Sequence, residues 1–471
     1  MREFTPRPYQ SLAIEWIAAR DRCALWAGMG MGKTSTTLGV IDLGLLTGET
    51  QPTLVIAPLR VARDTWPAEV RKWDRFAHLE VSPVVGDLKE RTTALRRDVP
   101  IFTTNYEQLP WLIEHLGDRW PFGRIVSDES TKLKNTRIAR VVHPKTGKPY
   151  WRHAGGQRSR ALGRKSHRTP KFLELTGTPS PNGVIDLWGQ AWHLDMGQRL
   201  GYSFEAFTRR WYSKKMLPDG GVQYEPHAHA QAEIQALLGD ICLTLDPKDW
   251  FDLREPLHNV IRVELPKKAR ALYRDMEREM FAVIGGRDVE AVNAAAKTMK
   301  CLQLANGAAY VDERGETYEV VHDEKLDALE SILEEAPGPV LCAFHFKSDR
   351  ARILRRFPDA LDVSTPAGFA AARAGQGRLW LGHPASMGHG LDGLQEHCHT
   401  AAIFGHWWDL EQRQQFIERI GPVRQAQAGK DRVVTIHHIV ARATVDELVI
   451  ARHESKREVQ DLLLEAMKGA K

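Results

Sequence analysis

Short apolar runs recur through residue 181, at Thr53 to Ala57, Pro100 to Thr103, Arg124 to Ser127 and Phe172 to Thr176, each ending in turn-type or charged residues. Runs without polar alternation are the pattern of strands buried on both faces, as in parallel sheets. Between them lie stretches with helical spacing, Val61 to Trp73 and Tyr106 to Leu116. This alternation predicts a doubly wound α/β lobe over residues 1–181. From Asn182 to about Pro256 helix-like spacing takes over, with Phe204, Phe207, Trp211 and Tyr212 followed by Ala232 to Leu238, and a helical protrusion is expected over 182–256. Residues 257–336 read as a second helical element, with helices at Pro266 to Leu304 and Lys325 to Glu335 around a polar turn at Asp312-Glu313-Arg314-Gly315. Strand-like runs return at Pro339 to Phe344, Arg378 to Leu381, Ala401 to Phe404 and Val433 to Val440, separated by helical pieces at Ser348 to Phe357 and Leu410 to Ile420. They predict a second α/β lobe over 337–442, closed by a C-terminal helix over 443–471. No short-period repeat or low-complexity tract interrupts this order.

At 471 residues and 42% hydrophobic, the chain is too long for one ordinary core and too apolar for disorder, in keeping with two or three packed domains. No run approaches the ~18 apolar residues of a bilayer span. The opening Met1-Arg2-Glu3-Phe4-Thr5-Pro6 lacks a signal-peptide apolar region, so a cytoplasmic location without membrane attachment is expected. Cys23, Cys242, Cys301, Cys342 and Cys398 lie far apart with no C-x-x-C pair, which argues for reduced, buried thiols over a disulfide framework or a cysteine zinc site. His397-Cys398-His399, with His383 and His389 upstream, suggests a metal at first sight, but adjacent strand residues point to opposite faces and chelate poorly together.

Charge changes the picture more than composition does. The net charge is +5, yet Arg140 to Lys171 holds ten Lys/Arg and no Asp or Glu, leaving the rest of the chain at about −5. With Tyr150 and Trp151 inside it, this block reads either as a polyanion path or as a solvated, mobile loop; contact with nucleic acid is the preferred reading, through Arg158, Arg160, Arg164 and Lys165.

Candidate chemistry begins at Ala27-Gly28-Met29-Gly30-Met31-Gly32-Lys33-Thr34, which follows the apolar Cys23 to Trp26 and precedes a helix-compatible stretch. Strand, glycine-rich loop and helix are the context of a phosphate loop: backbone N–H groups turn inward, the helix N-terminus adds positive potential, Lys33 reaches the β/γ oxygens and Thr34 ligates Mg²⁺. Ala27 stands where the general pattern has its first glycine. Asp128-Glu129 directly follows the apolar Arg124-Ile125-Val126 and so falls at the C-terminal end of a buried strand, where open α/β sheets bind ligands. Asp128 is expected to hold Mg²⁺, and Glu129 to orient and deprotonate the water that attacks the γ-phosphate. A glycine-rich turn without ligand and a surface acidic pair are the bland alternatives; the second does not explain the strand placement.

These motifs resemble those of the Swi/Snf branch of superfamily 2 helicases and translocases, especially the compact versions that phages encode, over nearly the whole chain. Arg7-Pro8-Tyr9-Gln10 resembles that family's adenine-recognition segment, and Asp128-Glu129-Ser130-Thr131-Lys132-Leu133-Lys134-Asn135 its acidic motif. Ala57-Pro58 resembles the first strand-contact motif and Thr176-Gly177-Thr178-Pro179 the motif coupling hydrolysis to DNA. Ser386-Met387-Gly388-His389-Gly390-Leu391 is similar to the fifth motif, Gln415-Phe416-Ile417-Glu418-Arg419 opens the sixth, and Ile439 to Glu447 matches the closing segment. The family's sixth motif carries a second arginine three residues after the first; here that position is Pro422 and Arg424 lies two residues on.

The resemblance implies two RecA-like doubly wound parallel-sheet lobes with helical insertions, ATP and Mg²⁺ as cofactors, and duplex DNA as partner. It assigns nucleotide binding to Gln10, Met29, Gly30, Met31, Gly32, Lys33, Thr34 and Ser35, and nucleic-acid contact to Pro58, Thr176, Gly177, Thr178 and Gly388. Arg419 and Arg424 become the candidate arginine fingers. The expected activity is DNA-stimulated ATP hydrolysis driving translocation by a monomer in the host cytoplasm, with a protein recruiter or nuclease as a further partner. A strand-separating DNA or RNA helicase and a nucleotide-gated DNA-binding scaffold remain alternatives, and a P-loop kinase is disfavoured by the second-lobe motifs.

Overall fold

The computed structural model describes residues 1–144, 146–181, 183–216, 222–285, 291–312, 315–387 and 392–455. The chain divides into two compact units, with the boundary between Trp250 and Phe251. In the first unit the strands are β1 (Arg22–Ala27), β2 (Thr53–Ala57), β3 (Val81–Pro83), β4 (Ile101–Asn105), β5 (Arg124–Asp128), β6 (Thr136–Val142), β7 (Pro149–Gly155), β8 (Lys171–Thr176), β9 (Tyr212–Met216), β10 (Val222–Pro226) and β11 (Cys242–Leu245). Seven of them form one sheet in the order β11-β1-β8-β5-β2-β4-β3. Every pairing in it is parallel. β2, β4 and β5 are buried at every position, which is why they read as unbroken apolar runs.

The described residues of the basic stretch have regular structure. They form an antiparallel hairpin, β6 with β7, followed by a helix at Gln157–Ser166. Arg22, at the start of β1, ties this insertion to the sheet. Its guanidinium donates to Ser166 O at 2.6 Å and Thr169 O at 2.6 Å, and also to His193 O at 2.9 Å and Leu194 O at 3.1 Å. One side chain thereby satisfies end carbonyls of two helices, Gln157–Ser166 and Leu187–Asp195, that lack partners within the helix. His193 adds a second tie, with Nδ1 on Ser166 Oγ at 3.1 Å and Nε2 on Thr136 Oγ1 at 3.1 Å.

The second unit contains β12 (Leu257–Val263), β13 (Ala308–Tyr310), β14 (Tyr318–Val320), β15 (Val340–Ala343), β16 (Leu361–Asp362), β17 (Leu379–Gly382), β18 (Thr400–Ile403) and β19 (Thr435–Ala441). Six form a parallel sheet in the order β12-β19-β18-β15-β17-β16. Two doubly wound parallel-sheet lobes with insertions are therefore present, as expected.

The boundaries within them differ from the expected ones. Residues 182–256 hold helices at Leu187–Asp195, Phe204–Trp211 and Ala230–Leu238, but also the β9–β10 hairpin and β11, which completes the first sheet beside β1. Residues 257–336 open with β12, an edge strand of the second sheet, before the helices at Lys267–Gly285, Ala291–Asn306 and Glu324–Glu335. Gly388 and the rest of the fifth-motif stretch to Leu391, the turn residues Glu313 and Arg314, and residues 456–471 of the expected C-terminal helix lie outside the described residues; 445–455 are helical. All five cysteines are buried. Among the described residues no helix is long and apolar enough to cross a membrane.

Candidate active site

Sheet order assembles the first-unit motifs. β1, β8, β5 and β2 are consecutive neighbours, and their C-terminal ends carry the phosphate loop, Gly177, Asp128-Glu129 and Pro58 respectively. The register sets Trp26 opposite Thr176 and Asp128 opposite Leu175, so these ends are level with one another. Such an edge is where open parallel sheets receive ligands.

The loop after β1 turns through Gly30 (φ 79°) and Gly32 (φ 68°), in the left-handed region where other residues are strained. Gly32 caps the helix Lys33–Leu46. A Cβ on Gly32 would lie 2.6 Å from Gln10 Nε2, so glycine also allows the adenine-recognition segment to close on the loop. Gln10 is buried, donates from Nε2 to Ser35 Oγ at 3.1 Å and accepts the Arg7 N–H at 3.0 Å, while Ser35 Oγ donates to Gly32 O at 3.0 Å. Tyr9 packs on Trp250 with ring centroids 5.6 Å apart. Lys33 Nζ donates to Ala27 O at 2.9 Å, which holds the ammonium inside the loop. A methyl added at Gly177 would stand in ordinary contact, 3.6 Å from Lys33 Nζ and 3.4 Å from Met29 Cγ, so the coupling motif lies beside the phosphate loop. Met31 is buried in the core, whereas Met29 and Thr34 are half-buried in the loop region.

Asp128 is buried and accepts from Trp66 Nε1 at Oδ2, 3.1 Å away. Burial raises its carboxyl above the ordinary aspartate value, partly opposed by the Trp66 hydrogen bond and the nearby Lys33 charge. Glu129 follows with φ 62°, a left-handed backbone at a residue with a Cβ. Tyr106 stabilises this corner: its buried hydroxyl lies 2.8 Å from Asp128 O, 3.2 Å from Glu129 O and 2.8 Å from Ser127 Oγ. Next in the chain, Ser130 Oγ donates to Gln190 Oε1 at 2.8 Å, and Gln190 Nε2 donates to Pro179 O at 2.7 Å. Acidic and coupling motifs are thus bridged by one buried glutamine. Trp66, Tyr106 and Gln190 were not among the expected site residues; their sequence signal is that of core positions, and only their polar tips join the site.

The oxygen donors at Thr34 and Asp128 are chemically suited to Mg²⁺, and the inward-turned glycine loop with Lys33 to a polyphosphate. Thr176 and Thr178 are buried, with Thr178 N donating to Thr176 Oγ1 at 3.0 Å, so they shape the turn from inside and leave Gly177 less covered. Pro58 is half-buried and is followed by the exposed Leu59.

On the insertion, Arg158, Arg160 and Arg164 are exposed. Arg158 pairs with Glu107 at 2.8 Å, while Arg160 and Arg164 pair with no carboxylate among the described residues. Lys165 departs from expectation. It is buried, with its ammonium on the Gly117 carbonyl and 5.8 Å from the Trp120 ring, so it anchors the helix and is not on its exposed face. A groove of about 790 Å³ runs beside this helix, lined by Arg160, Arg164 and Arg168 and by Glu114 and Asp118.

In the second unit Arg419 is buried just beyond the helix Leu410–Ile417. Arg424, in the helix Pro422–Gln427, forms an ion pair with Asp392. In the closing segment Asp446 is buried, accepting from Lys325 Nζ at 2.7 Å and Ala441 N at 3.0 Å.

Residues 9–145 match the family described as the SNF2-related domain. The chain is 50% identical over 474 residues to "Putative protein p41" of Acyrthosiphon pisum secondary endosymbiont phage 1, an alignment spanning 99% of this chain and 100% of that protein. It is 26% identical over 294 residues to "Helicase SWR1" of Mycosarcoma maydis, spanning 57% of this chain and only 14% of that much longer protein. Among solved structures, the "Sulfolobus solfataricus SWI2/SNF2 ATPase core in complex with dsDNA" superposes with a TM-score of 0.44 at 21% identity, over 98% of this chain and 94% of that one.

Proposed function

The chain belongs to the Swi/Snf-related branch of the nucleic-acid-dependent ATPases, and from that premise we propose that it is a DNA-stimulated motor that hydrolyses ATP to translocate along duplex DNA. The observation that supports this most strongly is the place of Gly177, where an added methyl would stand 3.6 Å from Lys33 Nζ. It puts the segment assigned to DNA beside the group assigned to phosphate, near enough for a shift in one to be felt at the other.

In this reading Gln10 and the glycine loop bind the nucleotide, and Lys33 gives its hydrogen bonds to phosphate oxygens in place of the loop carbonyls. Thr34 and Asp128 would hold Mg²⁺, which neutralises charge on the phosphates. Glu129, fixed in its left-handed backbone, orients the attacking water and takes its proton. The arginine-finger role falls to Arg419, with Arg424 as a second candidate that must first leave Asp392. Pro58 and Gly177 contact the DNA backbone, and Arg158, Arg160 and Arg164 add a sequence-independent electrostatic grip.

The test is ATPase activity titrated with duplex DNA, single-stranded DNA and RNA, together with Lys33→Ala and Glu129→Gln. Stimulation by duplex DNA, loss of turnover in both variants and retained nucleotide binding in Glu129→Gln are expected. Wild-type turnover in either variant would refute the site, and strand displacement on a forked duplex would replace translocation by unwinding.

A further inference from the structure

Trp66 lies at one end of a hydrogen-bonded path that begins at Pro58, between β2 and the helix that starts at Leu59. Ala62 N donates to Pro58 O at 2.9 Å, and Trp66 N reaches back five residues to Val61 O, closing a single π-helical turn over Val61–Thr65. Thr103 Oγ1, from the neighbouring β4, donates to Ala62 O at 2.6 Å and pins the turn to the sheet. The path ends where the fully buried indole donates to Asp128 Oδ2 at 3.1 Å. Among the described residues Trp66 is the one side-chain donor to that carboxylate, beside the Glu129 backbone N–H.

We propose that Trp66 is a positioning residue: it relays movement of the Pro58-Leu59-Arg60 segment, where the helix starts, to the Asp128 carboxylate, so that DNA contact at Pro58 tunes Mg²⁺–nucleotide binding. The proposal rests on the roles given above to Pro58 and Asp128. The π turn supplies the two-state element. Isolated π turns occur mostly inside α-helices, frequently at functional sites. Recovery of the i→i+4 pattern displaces the downstream helix by one position, about 1.5 Å along the axis and about 100° around it. A donor 3.1 Å from its acceptor loses its hydrogen bond under such a shift. Helix start and carboxylate would then exchange free energy reciprocally, as linkage requires. A merely space-filling indole needs the ring but not the N–H.

Two variants separate these roles. Trp66→Phe keeps an aromatic ring and deletes the donor; incorporation of 3-benzothienylalanine at position 66 keeps the bicyclic shape as well and replaces N–H by sulfur. Each is compared with wild type by Mn²⁺ binding in the presence of ADP, read by electron paramagnetic resonance, and by ATPase activity with and without duplex DNA. Circular dichroism and ADP affinity in EDTA report whether fold and cradle are intact. The expected result is Mn²⁺ affinity weakened about 10- to 100-fold, the range for loss of a partner behind a metal ligand, with the stimulation ratio falling toward unity. Wild-type Mn²⁺ affinity in the benzothienyl protein overturns the proposal. Weakened Mn²⁺ affinity with undiminished stimulation also overturns it, since Trp66 would then brace the carboxylate without relaying anything. If wild-type protein itself shows no DNA stimulation, the motor reading fails instead, a result distinguishable without either variant.

Discussion

Tyr106→Phe removes one oxygen from the first unit and tests how the Asp128-Glu129 corner is held. The hydroxyl is fully buried and lies within hydrogen-bond distance of Asp128 O, Glu129 O and Ser127 Oγ. With one proton to give, it serves the two carbonyls in a shared fashion and accepts from Ser127. Deleting it leaves buried acceptors without that donor, a loss of about 1–3 kcal/mol. At about 2–4 °C per kcal/mol for a unit of this size, the unfolding midpoint should fall by roughly 2–12 °C. The kinetic consequence is more diagnostic. Glu129 holds φ 62°, a conformation costing roughly 1–2 kcal/mol in a residue with a Cβ. Without the hydroxyl that backbone is free to relax, and a displacement of about 1 Å at a catalytic base costs up to about 100-fold in rate. DNA-stimulated turnover is therefore expected to drop by one to two orders of magnitude, roughly, with KM for ATP little changed because Lys33 and Gln10 are untouched. Steady-state ATPase assays and differential scanning calorimetry measure both. A variant with the wild-type midpoint and wild-type turnover would refute the argument, because the left-handed corner would then be held by other contacts.

Replacing Arg160 and Arg164 together by Glu should weaken duplex DNA binding and flatten the dependence of log affinity on log salt by about 2, at ~0.9 for each phosphate no longer neutralised; an unchanged slope in fluorescence anisotropy would return the helix to a solvated face. Lys165→Met should leave that slope alone and lower the unfolding temperature instead, since the ammonium is spent on Gly117. Glu174 is buried on β8, and burial holds its carboxyl well above the ordinary glutamate value, with attraction from Arg22 opposing. A carboxyl whose pKa is raised by folding contributes stability that is complete below the unfolded value and is lost as pH rises through the folded one. Glu174→Gln should therefore flatten the fall in unfolding temperature from mildly acidic to neutral pH; a parallel pH profile in the variant would contradict the burial argument.

What could be read from the chain alone follows burial. β2, β4, β5 and β15 are buried at every position, and short runs announced them. β12 escaped because it is an edge strand whose exposed His258, Asn259 and Arg262 break its apolar residues into short pieces. The β6–β7 hairpin escaped because its arginines masked the alternation that buries Ile138. The glycine loop and the acidic pair could be placed at strand ends because each directly follows an apolar run. Their supports could not, for a common reason: Arg22, Lys165, Trp66 and Tyr106 each act through one polar group whose partner is distant in sequence, often a backbone carbonyl. Nothing in a residue's type reveals such a partner. Lys165 in particular reads as surface charge until the helix is seen to turn it inward.

The clamp formed by Arg22 has a mechanical meaning. It sits at one end of β1, and the phosphate loop hangs from the other, about 20 Å away for a strand of six residues. Load applied to the arginine-bearing helix would enter the sheet through a guanidinium and four carbonyls and run lengthwise down a single stiff ribbon to the loop. Tension on the insertion would thus reach the nucleotide cradle as a pull along its own root, not as a sideways push.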